Sequence, residues 1–287
     1  MTGTGANDLV DLHSHLIPGV DDGARTVEDA LEGIGRMVKV GVGSIVTTPH
    51  LDGSVTSDPR AFRTRMDEVD AAWKRLSEAV AEQFPGLRLE RGHEVMLDTP
   101  DPVLTDPRVR LAETDFVLVE WPRLQVPPGS TRAIARIRSA DARPIVAHPE
   151  RYSGMGPEMD LAAEWRLEGA LLQVNHGSLV GRYGPRARER ALLLLQRGWV
   201  DLLSSDFHGR SHLKLHIREA REVLMEWGGE EQWRMLTSVN PARVLDNEFP
   251  LPVPPLPLPG GLWTRVRSLF RSGKDGGDRG KGAVEWG

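Results

Sequence analysis

The sequence contains no cysteine, which excludes disulfide bridges, thiolate metal ligands and a cysteine nucleophile. It has no apolar run approaching the roughly 18 residues that cross a bilayer, and no basic start followed by an apolar stretch as in a signal peptide. It also lacks a basic excess, since the formal net charge of −5 gives no indication of nucleic-acid binding. These absences predict a cytoplasmic protein.

The composition is that of an ordinary globular protein, with 39% hydrophobic and 27% charged residues in a chain of 287. About seven short apolar strands, mostly separated by helical segments, are predicted between Leu9 and Ser204. One helix begins after Thr26 and ends at Gly41, and a longer one covers about residues 59–83. The alternation predicts an α/β fold with a parallel sheet, and its extent favours a TIM-like barrel, regular or distorted, over an open sheet.

Two histidines, His13 and His15, stand at the end of the first predicted strand. Residues two apart on a strand point to the same side, so Asp11 would lie beside them. Two imidazoles at this spacing can bind one divalent ion, and a neighbouring carboxylate can orient a ring. Alone, the pattern fits two polar residues at a strand end equally well.

Other predicted strands also end in residues of the types that bind metals in proteins. These residues are His50, Glu94, Glu120, His148 and Asp206. In a closed α/β barrel the C-terminal strand ends form one rim, where catalytic residues gather. Imidazoles and carboxylates together suit Mn²⁺, Fe or Zn²⁺, which can activate water and neutralise a phosphate group. We therefore predict a metal site at the C-terminal strand ends, and we interpret His93, on the other side of its strand from Glu94, as structural.

The stretches that carry these residues read DLHSHLIPGVDDG (11–23), TTPH (47–50), GHEV (92–95), VLVEWP (117–122), AHPERY (147–152), LQVN (172–175) and SSDFH (204–208). In this order they resemble the PHP (polymerase and histidinol phosphatase) superfamily. Within it they look like the bacterial tyrosine-protein phosphatases tied to capsule and exopolysaccharide synthesis. DDG after the two histidines and HPERY are the specific parts. The resemblance implies a distorted TIM-like (β/α)7 barrel of the PHP type.

The resemblance also implies three divalent ions, with Mn²⁺ favoured over Fe or Zn²⁺. Carried over residue by residue, the first ion would be held by His13, His15, Glu94 and Asp206, the second by Glu94, Glu120 and His148, and the third by Asp22, His50 and His208. Glu94 would be the bridge, because a carboxylate has two oxygens to share between ions whereas an imidazole cannot span two.

The implied reaction is a single in-line displacement in which water activated by the ions attacks phosphorus. Arg151, in HPERY, would bind the phosphate oxygens in a bidentate way, and a structural salt bridge is its alternative role. Family members often carry a second arginine after the DxH motif. Arg210 is the nearest candidate here, although its loop shows no clear match. Asp206 or a metal-bound water could act as a general acid, but the phenolate leaving group, with a pKa of about 10, needs little help.

The function implied is that of a metal-dependent phosphomonoesterase acting on protein phosphotyrosine, with a bacterial tyrosine kinase as the expected partner. One alternative keeps the site but changes the substrate to a small phosphate ester such as histidinol phosphate. Another is a binding or regulatory module without catalysis, against which the presence of all nine candidate ligands argues. An amidohydrolase activity is disfavoured by Arg151 and by the DDG pattern.

The composition changes after residue 249, which predicts three parts. These are a catalytic barrel over 1–249, a proline-rich linker over 250–261 and a basic tail over 262–287. Apolar residues of the tail fall on one helical face, namely Leu262, Trp263, Val266, Leu269 and Phe270. Such a segment could make a weak contact with a membrane or a partner, and a solvated, poorly ordered tail is the alternative.

Overall fold

The computed structural model describes residues 8–257, in which nine short strands form two sheets. The strands are β1 (Leu9–Asp11), β2 (Val42–Thr47), β3 (His50–Asp52), β4 (Arg88–Arg91), β5 (Glu94–Met96), β6 (Phe116–Glu120), β7 (Arg143–Ala147), β8 (Leu171–Asn175) and β9 (Leu202–Ser204). Their order is β1-β2-β4 in one sheet and β3-β5-β6-β7-β8-β9 in the other, and each of these neighbours pairs in parallel. The predicted parallel α/β architecture is confirmed, while closure into a barrel stays a prediction.

Helices separate most of the strands along the chain. Over the same residues they are α1 (Val27–Lys39), α2 (Gly53–Thr56), α3 (Pro59–Gln83), α4 (Ser130–Ser139), α5 (Asp160–Leu167), α6 (His176–Leu179), α7 (Pro185–Gln196), α8 (Ile217–Met225), α9 (Glu230–Arg234) and α10 (Asn240–Leu245). Within residues 8–257, none of them has both the length and the apolar composition needed to cross a bilayer.

Local sequence sets the first turns of α1 and α3. The Thr26 hydroxyl accepts a hydrogen bond from the Asp29 amide (3.2 Å), which satisfies one free donor of α1. The Asp58 carboxylate does the same for α3, and Pro59 occupies the first helical position, where a missing N–H leaves no bond unmade. The prediction of both helices is confirmed, with α3 at the predicted boundaries and α1 ending shortly before Gly41.

Two short strands were not predicted, because His50 and Glu94 follow the ends of β2 and β4 as expected but each also begins a new strand. After β2 and β4 the chain passes to the other sheet, where β3 and β5 pair with His50 opposite Glu94. Pro49 interrupts the ladder after β2 because it has no N–H to donate. Gly92 lies between β4 and β5, where its amide donates to the Thr47 carbonyl (3.0 Å) and a Cβ would meet the Arg110 carbonyl oxygen at 2.9 Å. The pairing of β3 with β5 brings a histidine and a glutamate side by side.

The two sheets share one hydrophobic core. Buried residues from β1, β2, β6, β7, β9, α10 and two connecting segments pack in it, namely Val10, Leu12, Val46, Leu111, Phe116, Leu118, Ile145, Ala147, Leu202, Val244 and Leu245. The chain segments that follow β1 and β9 also meet. The His15 amide donates to the Phe207 carbonyl (2.8 Å), and the Asp206 amide donates to the His13 carbonyl (2.9 Å). This junction places the two histidines next to Asp206.

The first residues of the predicted proline-rich linker pack against helices. The Leu256 amide donates to the Leu195 carbonyl in α7 (2.9 Å), and the Leu256 side chain is 1% exposed. The Gln232 amide group in α9 donates to the carbonyls of Pro254 and Pro255. The rest of the linker and the predicted tail (262–287) lie outside the described residues, and the division of the chain at residues 249 and 261 stays a prediction.

The buried Asn240 side chain connects this C-terminal segment to the domain. It donates to the carbonyls of Asp201 (3.1 Å) and Leu251 (2.9 Å) and accepts from the Leu251 amide (2.9 Å). We predict that Asn240→Ala lowers the free energy of unfolding by about 1–3 kcal/mol, because it leaves buried backbone groups without partners. Denaturant unfolding measures the change. Gln83→Ala, at the exposed end of α3, is the matched amide control, and equal stability of the two variants would contradict the prediction.

Candidate metal centre

The nine residues predicted as metal ligands lie together. They form four overlapping groups, in each of which one nitrogen or oxygen atom per residue lies within 4.8 Å of the others. The groups are His15, Asp22, His50 and His208; His13, His15 and Glu94; His13, His148 and Asp206; and His50, Glu94 and Glu120. Imidazole nitrogens and carboxylate oxygens at such spacings can hold divalent cations.

The Glu94 carboxylate lies at the middle of this cluster and is 1% exposed. Its Oε2 atom is 3.2 Å from His13 Nε2 and 3.1 Å from His50 Nδ1. Its Oε1 atom is 3.0 Å from His148 Nε2. The two oxygens thus face different imidazoles, which is the arrangement that a carboxylate shared between two ions requires.

The contacts of His15 and His148 go beyond the three ligand sets that the resemblance implies. His148 groups with His13 and Asp206, whereas its Nε2 atom lies 3.9 Å from the nearest Glu120 oxygen. His15 belongs to two groups, one of which contains Asp22. The division of the ligands among three ions therefore stays a prediction, while the proximity of all nine is a property of the fold.

Two of these residues hold left-handed backbone conformations. His148 has φ of 35° and Asp206 has φ of 51°, values that cost a non-glycine residue about 1–3 kcal/mol. Hydrogen bonds keep both in place. The His148 carbonyl accepts from the Arg151 amide (2.9 Å), and the Asp206 amide donates to the His13 carbonyl. Strain retained at a cluster of polar side chains indicates a functional constraint on their direction.

Histidines and carboxylates in the cluster stabilise each other's charged forms. Burial disfavours the charged form of His50, yet hydrogen bonds to Glu120 and Glu94 raise its pKa to about 10. Burial likewise opposes ionisation of Glu94, but the neighbouring His13 charge brings the pKa of this carboxyl well below its usual range. Positive charge, carried by protons or by cations, is therefore needed beside the carboxylates at neutral pH.

Two residues orient the first two histidines and were missed as functional residues in the sequence. The Asp21 Oδ2 atom is 2.8 Å from His15 Nδ1, and the Gln173 Oε1 atom is 2.8 Å from His13 Nδ1. Each oxygen accepts the Nδ1–H proton, which leaves the Nε2 lone pair of the ring free to bind a cation. The first aspartate of DDG and the glutamine of LQVN were visible in the sequence, but nothing there showed which ring they contact.

The expected role of Asp11 in orienting a ring is wrong. Its Oδ1 atom accepts from the His13 amide (3.0 Å), and its Oδ2 atom accepts from the Ser205 amide (3.0 Å). Burial raises the pKa of Asp11 to about 6. Asp11 thus fixes the backbone where the segments after β1 and β9 meet. Its two oxygens accept hydrogen bonds from backbone amides and not from the rings of His13 and His15.

A chain of hydrogen bonds continues from Gln173 to the phosphate-binding candidate Arg151. The Gln173 amide nitrogen donates to Asn175 Oδ1 (2.8 Å), and the Asn175 amide nitrogen donates to Asp206 Oδ2 (2.8 Å). Arg151 Nη1 donates to the same Asp206 oxygen (2.7 Å). The position of His13 is therefore connected to that of Asp206 and Arg151 through side chains of β8.

Seven of the nine residues, all except His13 and His15, line a cavity of about 460 Å³ together with arginines. Arg151 lies over the Tyr183 ring, with 4.2 Å between the guanidinium carbon and the ring centroid. Arg210 also lines the cavity, and it donates to the carbonyl oxygens of Asp22 and Gly23. Both predicted substrate-binding arginines are thus beside the cluster, and Arg210 in addition holds the loop that carries Asp22.

His93, interpreted above as structural, and two further histidines, His176 and His212, have different surroundings. His93 is buried, its Nδ1 atom lies 3.0 Å from the Arg108 carbonyl oxygen, and burial lowers its pKa to about 4. His176 is buried near Trp233, with 5.7 Å between the ring centroids. His212 is exposed and lines the cavity outside the four ligand groups.

Known proteins resemble this chain over most of its length. The family model described as capsular polysaccharide synthesis, CpsB/CapC, matches residues 9–246. The tyrosine-protein phosphatase YwqE of Bacillus subtilis is 28% identical over 253 residues, which cover 87% of this chain and 96% of that protein. The tyrosine-protein phosphatase CpsB of Streptococcus agalactiae is 24% identical over 248 residues, which cover 84% of this chain and 100% of that protein.

Solved structures include one from work on YwqE of Bacillus subtilis and CpsB of Streptococcus pneumoniae, described as unique metal-dependent tyrosine phosphatases. It matches this chain with a TM-score of 0.71 and 27% sequence identity, covering 88% of this chain and 100% of the other. The similarity thus extends over all the elements that carry the nine residues.

We predict that Asp21→Asn weakens Mn²⁺ binding by about 10- to 100-fold, because the amide no longer fixes the His15 tautomer as a carboxylate does. Equilibrium dialysis of the purified protein against Mn²⁺ measures the affinity. Asp52→Asn, an exposed substitution close by on β3, is the matched control and leaves the affinity unchanged. An unchanged affinity for Asp21→Asn would show that His15 needs no such orienting group.

A second prediction concerns the release of protons when a metal ion binds. Since imidazoles bind cations only when neutral, and the pKa of His50 is raised to about 10, Mn²⁺ binding releases protons. The affinity therefore rises with pH and falls as the solution becomes more acidic. Calorimetric titrations in two buffers of different protonation enthalpy measure the number of protons released. Equal heats in both buffers would contradict the prediction.

Proposed function

Since this chain belongs to the CpsB/CapC capsular polysaccharide synthesis family, we propose that it is a metal-dependent protein-tyrosine phosphatase that hydrolyses phosphotyrosine in a protein substrate. One observation carries this proposal. Nine residues of cation-binding types lie together, and most of them line a single cavity with the guanidinium of Arg151. Cations and a planar guanidinium are the two kinds of group that bind a phosphate dianion.

The cofactors in this proposal are three divalent ions, with Mn²⁺ favoured over Fe or Zn²⁺. Nitrogen and carboxylate oxygen donors in the absence of thiolates suit this set of metals. The residues that would hold them are the nine described above, with Glu94 as the shared ligand. When bound, the ions would supply an activated water at neutral pH and positive charge for the phosphate oxygens.

Arg151 binds and orients the phosphate group in this proposal. Its Nη1 atom is held by Asp206 at 2.7 Å, and its planar face lies on Tyr183, so the remaining donors are directed without much loss of side-chain entropy. In the reaction these donors would stabilise the charge on the equatorial oxygens of phosphorus. Arg210, which also lines the cavity and whose bonds to carbonyls hold the Asp22 loop, would assist.

Asp206 acts as a ligand and an anchor for Arg151 rather than as a general acid. Burial opposes its ionisation, but the His13 charge and a hydrogen bond to His15 bring the pKa of Asp206 far below its usual range. A carboxyl with such a pKa holds no proton to donate at neutral pH. Phenolate is a good enough leaving group to depart without full protonation, since its pKa is about 10.

A protein substrate fits the surroundings of the cluster better than a small ester does. An adjoining cavity of about 790 Å³ shares Asp22 and His50 with the cluster and extends along α3. It leaves room for chain on one side of a phosphotyrosine. The expected substrate is a bacterial tyrosine kinase in capsule or exopolysaccharide regulation, and the expected location is the cytoplasm.

We also infer that the two sheets form one distorted (β/α)7 barrel. The bridge between Ser14 and Phe207 supports this inference, because it joins the chain after the first strand to the chain after the last. The shared core of the two sheets supports it as well. In such a barrel the cluster lies at the rim formed by the C-terminal strand ends.

His148→Ala tests the proposed function. Because the substitution removes an imidazole beside Glu94, we expect less bound metal and a fall of about 10²-fold or more in kcat/KM for a phosphotyrosine peptide. Metal analysis and phosphate release with added Mn²⁺ measure the two effects. His212→Ala, outside the ligand groups, is the control for metal content. Wild-type metal and activity in His148→Ala would refute the assigned site.

Comparing substrates on the wild-type protein tests the substrate class. Hydrolysis of a phosphotyrosine peptide is expected to exceed that of histidinol phosphate under the same conditions. Faster turnover of histidinol phosphate would replace the proposal with a small-ester phosphatase. A protein that binds no metal and shows no activity after reconstitution would be a binding module with the same fold.

A further inference from the structure

Two exposed arginines, Arg123 and Arg182, line the cavity beside the nine candidate metal ligands and are not themselves among those ligands. Among residues 8–257, neither forms an ion pair with a carboxylate. Arg151, by contrast, is bonded to Asp206, and Arg210 donates to backbone carbonyls. Two positive charges at the edge of the cavity are thus free to contact a bound molecule.

Arg123 lies on a loop that is fixed next to the Arg151 segment. Its backbone and that of Leu124 are left-handed, with φ of 54° and 53°. The Leu124 carbonyl accepts from the Ser153 amide (2.9 Å), two positions after Arg151. Consecutive strained residues of this kind persist only where the surroundings hold them. The loop therefore presents Arg123 to the cavity in a defined direction.

Arg182 is held close to Arg151 by a different segment of the chain. Its amide donates to the Gly177 carbonyl (2.9 Å), which fastens its loop to α6. Its guanidinium carbon lies 5.5 Å from the Tyr183 ring centroid, and the Arg151 guanidinium carbon lies 4.2 Å from the same centroid. One aromatic ring thus supports both cations, and Arg182 is close to the group that would bind phosphate.

The charges of the cavity leave these two arginines unbalanced. Four carboxylates line it, namely Asp22, Glu94, Glu120 and Asp206. All four are assigned to cations in the proposed function, so they are not available to Arg123 or Arg182. The phosphate of one phosphotyrosine would be matched by the cations and by Arg151. The cavity therefore has more positive charge than a single phosphate monoester uses.

We propose that Arg123 and Arg182 recognise a second anionic group on the substrate chain, close to the phosphotyrosine. The group is a carboxylate or a second phosphate, since a guanidinium binds both in the same way. The preferred substrates are then phosphotyrosine segments with acidic neighbours. This inference rests on the proposed function, and it adds to it the charge pattern of the substrate.

Matched phosphotyrosine peptides test the proposal on the full chain with Mn²⁺. The first peptide has glutamine at the three positions on each side of the phosphotyrosine. The second has glutamate at these positions. The third has glutamine there, except that one of them carries a non-hydrolysable phosphonate analogue of phosphotyrosine. We expect kcat/KM to be about three- to tenfold higher for the anionic peptides, mainly through KM, and the preference to shrink in high salt. The second and third peptides distinguish a carboxylate from a phosphate as the favoured group.

The variant Arg123→Gln/Arg182→Gln is expected to bring the ratio between anionic and neutral peptides close to one. Arg182→Lys, which keeps the charge, retains most of the ratio. Arg132→Gln, an exposed arginine on α4 outside the cavity, is the matched control and leaves both rates unchanged. A ratio of one in the wild-type protein, or an unchanged ratio in the double variant, would overturn the inference. If no peptide is hydrolysed at all, the proposed function itself fails.

Discussion

The Glu94 carboxylate is almost wholly buried, and nitrogen atoms of four imidazole rings lie within 3.5 Å of it. An ionised carboxylate without a partner would cost several kcal/mol in such a position, so positive charge must stay beside it in the folded protein. Protons on histidines can supply that charge, and so can divalent cations. Glu120, Asp206 and Asp22 lie around the same histidines, and their negative charge favours protons or cations at these positions.

The fold meets the requirement by pairing two short strands. Pro49, which has no N–H to donate, separates β2 from β3, and β3 pairs with β5 so that His50 lies opposite Glu94. At the other edge, Asp11 accepts hydrogen bonds from the His13 and Ser205 amides and thereby joins the two segments that carry His13 and Asp206. Backbone contacts thus bring the ligands together, and the packing of the core keeps them there.

Around the ligands, a layer of polar side chains sets their directions. Asp21 and Gln173 hold the Nδ1–H groups of His15 and His13, and Asn175 continues the chain to Asp206. In metal sites, loss of such a supporting contact typically lowers the affinity by about 10- to 100-fold. They also connect the candidate metal ligands to Arg151, so these ligands and the candidate phosphate-binding group belong to one continuous hydrogen-bond network.

Much of the fold and of the candidate site could be predicted from the sequence alone. Periodicity and capping residues predicted α3 with its boundaries, the apolar runs predicted parallel strands, and His13, Glu120, His148 and Asp206 followed those runs at the expected points. Such features depend on neighbours a few positions apart, and local chemistry sets them. The start of β3 and β5 at His50 and Glu94, and the contacts of Asp11, Asp21 and Gln173, could not be read in this way. The contacts of Gln173 with His13 and of Asp11 with Ser205, like the pairing of His50 with Glu94, join distant segments, and those distances exist only once the sheets have packed on their common core. The contact of Asp21 with His15 is local, but it depends on the course of the loop between them.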